Sequence, residues 1–289
     1  MKQAILHAEQ IGHYIQEPAK FSYGYYNKFL ILDEAERHVL KTGRYPYGQP
    51  YSIVQAVEGD QFAAAALSRI VNHQHPNSLK ERSADDYSRL IDYGTKFNGK
   101  GGMLFYVLQE ASQRVVGMGA IEVMSDESDA GSGPEVYIHG KKDNHTQCYL
   151  KSLGVLDEVA SYRFENDGIK YGHADELYEA RLNVFAQIDR PYLILKTNNP
   201  RLAGKCEAKG WINKTRNPDL IPEAKLVFES GKTQDDRAIE VLILTRDTAL
   251  SWLKQNGTGM TMPELSIIPH ASKAAQPAAK QVAFRPNFH

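Results

Sequence analysis

With 289 residues, 24% of them charged and 42% hydrophobic, the chain is long enough to bury a core and has the balance of an ordinary globular protein. Lys and Arg number 34 against 35 Asp and Glu, so a formal charge of −1 gives no global field toward nucleic acid or an anionic membrane. The two cysteines, Cys148 and Cys206, suit a reducing compartment better than a disulfide framework. MKQAILHAEQIGHYI has no continuous apolar run to serve as a signal peptide or membrane span, so a cytoplasmic protein is expected.

Residues 1–50 predict a helical extension packed on the main domain. Ile5, Ala8, Ile11 and Ile15 recur at helical spacing until Pro18, and Tyr26–Lys41 forms a second candidate with Phe29, Leu32, Val39 and Leu40 inward. The aromatics of FSYGYYNKF between them either pack the extension down or form the lip of a substrate pocket. YSIVQAV from Tyr51 predicts a strand, Gly59-Asp60 a turn and cap, and Gln61–Asn72 an Ala-rich helix. Ser83–Asp86 caps a helix that NGKGG breaks after Phe97, and Met103–Gln109 and Arg114–Met124 pair as a hairpin.

The acidic, Gly/Ser-rich Ser125–Pro134 predicts a loop, and Glu135–His139 a strand. GKKDNHTQ then leads into an expected helix over Cys148–Arg163, with Val155, Leu156 and Val159 inward, and DELYEARLNVFAQ predicts another. Tyr192–Lys196 is an apolar block between turn residues, hence a buried strand. Asn199 is a good N-cap, Pro200 fits the first helical position, Lys205 and Lys209 complement the C-terminal half, and Gly210 supplies the stop. Strands at Trp211–Thr215, Ala224–Glu229 and Ala238–Asp247 follow, then a short helix over Thr248–Gln255. The remainder, rich in Pro, Ala and polar residues, has the composition of a disordered tail.

Asn199, Gly210 and Trp211 have the spacing of the Asn-x10-Gly-[Phe/Trp] signature, and in this the chain resembles the GNAT-type N-acetyltransferases as a divergent member. It departs from the pattern at Leu202, where the family has Ala, and at Cys206, where it has Tyr. The resemblance implies an α/β (α+β) domain over residues 51–248, between the 1–50 extension and a 249–289 tail. Its central sheet would be mixed and mostly antiparallel, with helices on both faces and a V-shaped splay between two parallel strands that holds acyl-CoA.

The activity so implied is acyl-CoA-dependent N-acyl transfer, with acetyl-CoA the leading donor, to a small-molecule or protein amine in a ternary complex. A non-catalytic binding module of the same fold, or an acyltransferase drawing on an acyl-carrier protein, are the alternatives. By the resemblance the phosphate loop falls at Lys141–Gln147, with Lys142 at its basic position and His145 and Gln147 where glycines belong. Side chains there obstruct close backbone approach. Either Lys141, Lys142 and His145 reach phosphate with their side chains, or the loop holds CoA poorly. The donor-binding set is therefore Tyr137, Ile138, Gly140, Lys141, Lys142, His145, Thr146, Gln147 and Asn199.

Strand parity puts Glu135, Tyr137 and His139 on one face. His139, with an ordinary pKa near about 6.5, suits removal of an amine proton. Glu135 either orients it or is itself the base, and Glu122 on the neighbouring strand is a third candidate. Cys206 holds the place of the family's Tyr proton donor. No His, Cys, Asp or Glu spacing predicts a metal site.

Overall fold

A computed structural model describes residues 38–57, 70, 101–112, 114–123, 135–138, 140–142, 147–188, 190–227 and 239–262. The main sheet has eight strands: β1 (His38–Arg44), β2 (Pro50–Gln55), β3 (Gly101–Gln109), β4 (Arg114–Val123), β7 (Gln147–Val155), β10 (Tyr192–Thr197), β11 (Ile212–Asn213) and β13 (Glu240–Thr245). They lie in the order β1-β2-β3-β4-β7-β10-β13-β11. Every neighbouring pair is antiparallel except β7 and β10, which are parallel. A second, three-stranded sheet joins β5 (Glu135–Ile138) to β6 (Lys141–Lys142) and β12 (Ala224–Val227), and β8 (Phe164–Asn166) pairs with β9 (Ile169–Tyr171) as a hairpin.

Four helices complete the described fold: α1 (Asp157–Ala160), α2 (His173–Gln187), α3 (Pro200–Glu207) and α4 (Arg246–Asn256). Helix α2 crosses β3, β4 and β7 and packs against α4. It approaches closely because β4 presents Gly117 and Gly119 to it. A methyl on Gly117 would stand 3.4 Å from Leu177 Cδ1, and one on Gly119 would stand 3.1 Å from Arg181 Nε. The core is built on β2, β3 and β4, where Ile53, Val54, Leu104, Phe105, Val107, Val116 and Met118 are all wholly buried. Residues of both parities vanish from solvent because both faces of these strands are covered.

Local chemistry sets the β10–α3–β11 unit. Asn199 Oδ1 accepts from Arg201 N at 3.0 Å and Leu202 N at 3.3 Å, with Pro200 at the first helical position. Gly210, at φ +89°, turns the chain into β11, and Trp211 Nε1 donates to Tyr178 Oη at 2.7 Å to lock that turn onto α2. After α4 the chain returns across α2. Thr258 donates from N and Oγ1 to the buried Glu179 carboxylate at 2.9 and 2.7 Å, and Thr261 N donates to Leu40 O at 3.0 Å.

Two expectations are corrected here. The helix expected over Tyr26–Lys41 gives way to β1 from His38 on, so the sheet begins before residue 51; Val39, expected inward, is 43% exposed, and only Leu40 of β1 is buried. The helix expected over Cys148–Arg163 is instead β7 followed by the one-turn α1. Running between β4 and β10 in mid-sheet, β7 is covered on both faces and shows no alternation to distinguish it from a helix. The helix expected over DELYEARLNVFAQ is α2, the main helix of this face. The expected hairpin, the strands after Pro191 and the last helix all appear. Ile70 is helical and buried, and the rest of the expected helices between 61 and 97, the extension up to residue 37 and the tail beyond 262 lie outside the described residues.

Gly210→Ala is expected to destabilise the protein by at least about 1–2 kcal/mol, the cost of a left-handed backbone at a residue with a Cβ. The new methyl would also stand 2.7 Å from Thr248 Cγ2. Gly259→Ala, equally left-handed at φ +80° but with nothing within 4 Å, should lose only the conformational part. Urea denaturation of the two variants separates the terms.

Candidate functional site

The parallel strands stay together only briefly. Tyr192, Leu193 and Ile194 of β10 pair with Gln147, Cys148 and Tyr149 of β7, and there the ladder ends, although β7 runs on to Val155 and β10 to Thr197. Each strand remains paired on its other side: β7 follows β4 as far as Val155↔Gly117, and β10 follows β13 as far as Thr197↔Glu240. On β7 the register shifts between Lys151↔Ala120 and Leu153↔Gly119, leaving Ser152 as an extra residue. A bulge of this kind bends its strand, and here it lies in the stretch that has left β10. The result is a wedge-shaped opening at the C-terminal ends of β7 and β10.

Two helix N-termini flank that mouth. Helix α3 starts from β10 with the Asn199 cap, whose backbone N donates to Thr197 Oγ1 at 3.0 Å. Helix α2 starts at Gly172, whose N–H is taken by Asp175 Oδ2 at 3.0 Å, while Asp175 Oδ1 accepts from Lys209 Nζ at 2.8 Å. Behind Asp175, Glu176 is wholly buried and accepts three hydrogen bonds of 2.8 Å, from Tyr51 Oη, Lys41 Nζ and His173 Nδ1. His173 Nε2 stands 3.1 Å from Tyr45 Oη, and Phe164 and Tyr171 of the hairpin close the cluster with their rings. Burial alone would raise the Glu176 carboxyl, but the His173 hydrogen bond and the Lys41 ammonium outweigh it and hold the group below the ordinary glutamate range. Burial and the adjacent Glu176 charge push the Tyr51 phenol far up, so it stays a donor. The network ties β1 and β2 to α2.

Solved structures with a similar outline are acetyltransferases, at low identity. A probable acetyltransferase from Staphylococcus epidermidis aligns at 15% identity over 68% of this chain and 98% of its own, with a TM-score of 0.41. The GNAT domain of S. lividans PAT aligns at 11% over 74% and 99%, TM-score 0.44, and a NatC complex bound to Gag peptide and CoA at 13% over 67% and 98%, TM-score 0.40. No protein-family model and no curated protein sequence matches the chain. Strand order decides the matter. Four antiparallel steps lead to a central parallel pair that splays, and a helix and a closing antiparallel pair follow. The chain has the acyl-CoA N-acyltransferase fold.

Within that fold the expected site residues scatter. Glu122 pairs with Tyr149, the last β7 residue still laddered to β10, so it stands on β4 at the apex of the opening, half-buried. By strand parity it faces away from Gly119 and α2. Asn199 caps the helix that follows β10, at the mouth. Cys206 is buried on α3 toward Tyr178 and Arg181, and burial pushes its thiol up.

The expected donor-binding residues fall on different elements. Glu135, Tyr137 and Ile138 belong to β5 of the small sheet, Gly140 makes its turn at φ +77°, and Lys141 and Lys142 are β6. Gln147 opens β7 at the laddered end, opposite the mouth. Gln147 therefore begins a strand and not a helix. His139, His145 and Thr146 lie outside the described residues. Sequence reasoning missed His173, Glu176, Lys41 and Arg181. Only the pairing of His173 with Glu176 one helical turn later was there to be noticed. Among the described residues no group of three His, Cys, Asp or Glu is placed to hold a metal, and no helix is long and apolar enough to cross a membrane.

Glu176→Gln should cost about 3–5 kcal/mol, because the His173 and Lys41 side chains keep their burial and lose their counter-charge. The depressed carboxyl contributes stability that is present above the unfolded-state value and lost as pH falls through the folded one. The wild type should thus lose stability on the acid side more steeply than Glu176→Gln, as thermal melts between neutral pH and pH about 3 would show.

Proposed function

We propose that the protein is an acyl-CoA-dependent N-acyltransferase, with acetyl-CoA the leading donor and an amine on a small molecule or protein as acceptor. One observation carries this reading: the parallel pair β7/β10 opens after three residue pairs, so a thioester-bearing arm can lie between strands that would otherwise close on each other. In the reaction the amine nitrogen attacks the thioester carbonyl carbon. The amide C–N bond forms, the C–S bond breaks, the amine proton passes to a base, and the departing thiolate takes up a proton. Glu122, at the apex and on the face away from α2, is the base, directly or through a water. His139 and Glu135 belong to the segment of the small sheet and are the weaker candidates. The Cys206 thiol, kept protonated by burial, is the candidate donor to the thiolate.

The donor's diphosphate is assigned to the α3 side of the mouth. There Arg201 and Lys205 are exposed one turn apart, whereas the α2 side presents Asp157 beside the ion pairs Glu158–Arg114 and Asp175–Lys209. The same carboxylates favour a second reading, in which the donor is pantetheine on a carrier protein and no diphosphate enters the mouth.

Acetyl-CoA at about 100 times its dissociation constant should stabilise the protein by about 2.7 kcal/mol, read as a rise in Tm. No rise at millimolar ligand sinks the CoA reading. A rise with an acylated carrier protein and none with acetyl-CoA selects the second. Arg201→Ala/Lys205→Ala should weaken CoA binding roughly tenfold, and Lys141→Ala/Lys142→Ala should leave it unchanged; the reverse pattern in titration calorimetry would restore the Lys141–Gln147 loop.

A further inference from the structure

Arg181 lies in the middle of α2 with 2% of its surface exposed. Its Nε donates to Leu177 O at 2.9 Å, and among the described residues no acceptor lies within hydrogen-bond distance of its two Nη atoms. On one side the guanidinium rests on Gly119, where a methyl would come within 3.4 Å of Cζ. On the other it faces Cys206 of α3 and the Tyr178 ring, whose centroid is 6.0 Å from Cζ. Strand β7 runs between β4 and the β10–α3 unit, so these contacts bracket the guanidinium beneath β7. Gly119 pairs with Leu153, which is past the point where β7 leaves β10. The charge therefore sits under the floor of the opening.

Its neighbours do not neutralise it. Burial pushes both the Cys206 thiol and the Tyr178 phenol up, toward their uncharged forms. Burial also brings Arg181 itself down to about 10, which leaves it protonated at neutral pH. A buried cation without a partner is costly, and arginine cannot relieve the cost by shedding its proton near neutrality. Of the other buried charges of α2, Glu176 is matched by the Lys41 ammonium, and Glu179 is hydrogen-bonded by Thr258 N and Oγ1. A planar fork of donors left open at the base of a cleft fits the two oxygens of a carboxylate.

Resting on the acyltransferase reading, we propose that Arg181 binds a carboxylate carried by the substrate, so that the enzyme selects substrates with an acidic group near the reacting centre. The carboxylate has two sources. It terminates the acyl group, making the donor the monothioester of a dicarboxylic acid, or it belongs to the acceptor, making the acceptor an amino acid.

The test measures dissociation constants of CoA, acetyl-CoA and succinyl-CoA, and thiol release for each donor with several α-amino acids against their decarboxylated amines. The wild type should favour the carboxylate-bearing partner in one arm by at least about tenfold, the worth of a charge-assisted hydrogen bond. The arm that shows it names the source. Arg181→Met should bring the ratio near one with the CoA dissociation constant unchanged, and Arg181→Lys should keep only part of it. Binding of CoA by the wild type with no carboxylate preference in either arm overturns the inference alone. Failure to bind CoA removes the CoA-donor reading and this inference with it. The wild-type ratio decides even if a variant does not fold.

Discussion

One strand cannot stay straight against two neighbours that diverge, and β7 is in that position. Its antiparallel ladder to β4 continues to Val155, while β10 is held by six consecutive pairs to β13. The extra residue at Ser152 settles the conflict in favour of β4, and the parallel pairing with β10 is given up after Tyr149↔Ile194. The mouth, the helix termini at its rim and the side chains beneath it all take their positions from that loss of pairing. A sheet laddered through would keep the same core and have no place for an extended ligand.

Helix α2 puts charge into the interior three times, at Glu176, Glu179 and Arg181, and the three are treated differently. Glu176 and Glu179 receive every bond their oxygens need from strands and from the segment after α4, so they act as clamps whose loss leaves partners stranded. Arg181 receives one backbone carbonyl. The contrast cannot be blamed on crowding, since Gly117 and Gly119 clear the sheet surface under this helix. Lys41 neutralises Glu176 on this helix, whereas among the described residues no carboxylate is paired with Arg181.

The sequence was legible where structure is decided locally. Asn199, Pro200 and Gly210 punctuate α3 by capping, fixed φ and a left-handed stop, and the β3–β4 hairpin carries its own turn. It was misleading where burial on both faces erases periodicity. QCYLKSLGVLDEVASYR has apolar residues that fit a helix as well as a covered strand, and only its place between β4 and β10 selects the strand. The buried charges were invisible for another reason. HADELYEAR has the charge density of a solvated helix, and the residues that bury it, Lys41, Tyr45 and Tyr51, come from the first two strands.

The electrostatics of the mouth narrow how a donor enters. Helix N-termini attract anions through free N–H groups and the axial dipole, but at α2 the first N–H is bonded to Asp175 and the first turn adds the Glu176 charge behind it. On the same side Glu158 is paired with Arg114 at 2.6 Å and Asp175 with Lys209 at 2.8 Å, so much of that negative field is met within the protein. At α3 the capping oxygen of Asn199 occupies two N–H groups, yet the helix carries Arg201 in its first turn and Lys205 in its last, with no acid in the first. On the proposed acyltransferase reading a diphosphate at this mouth is therefore drawn to the α3 side, and the buried Arg181 is left to a smaller anion.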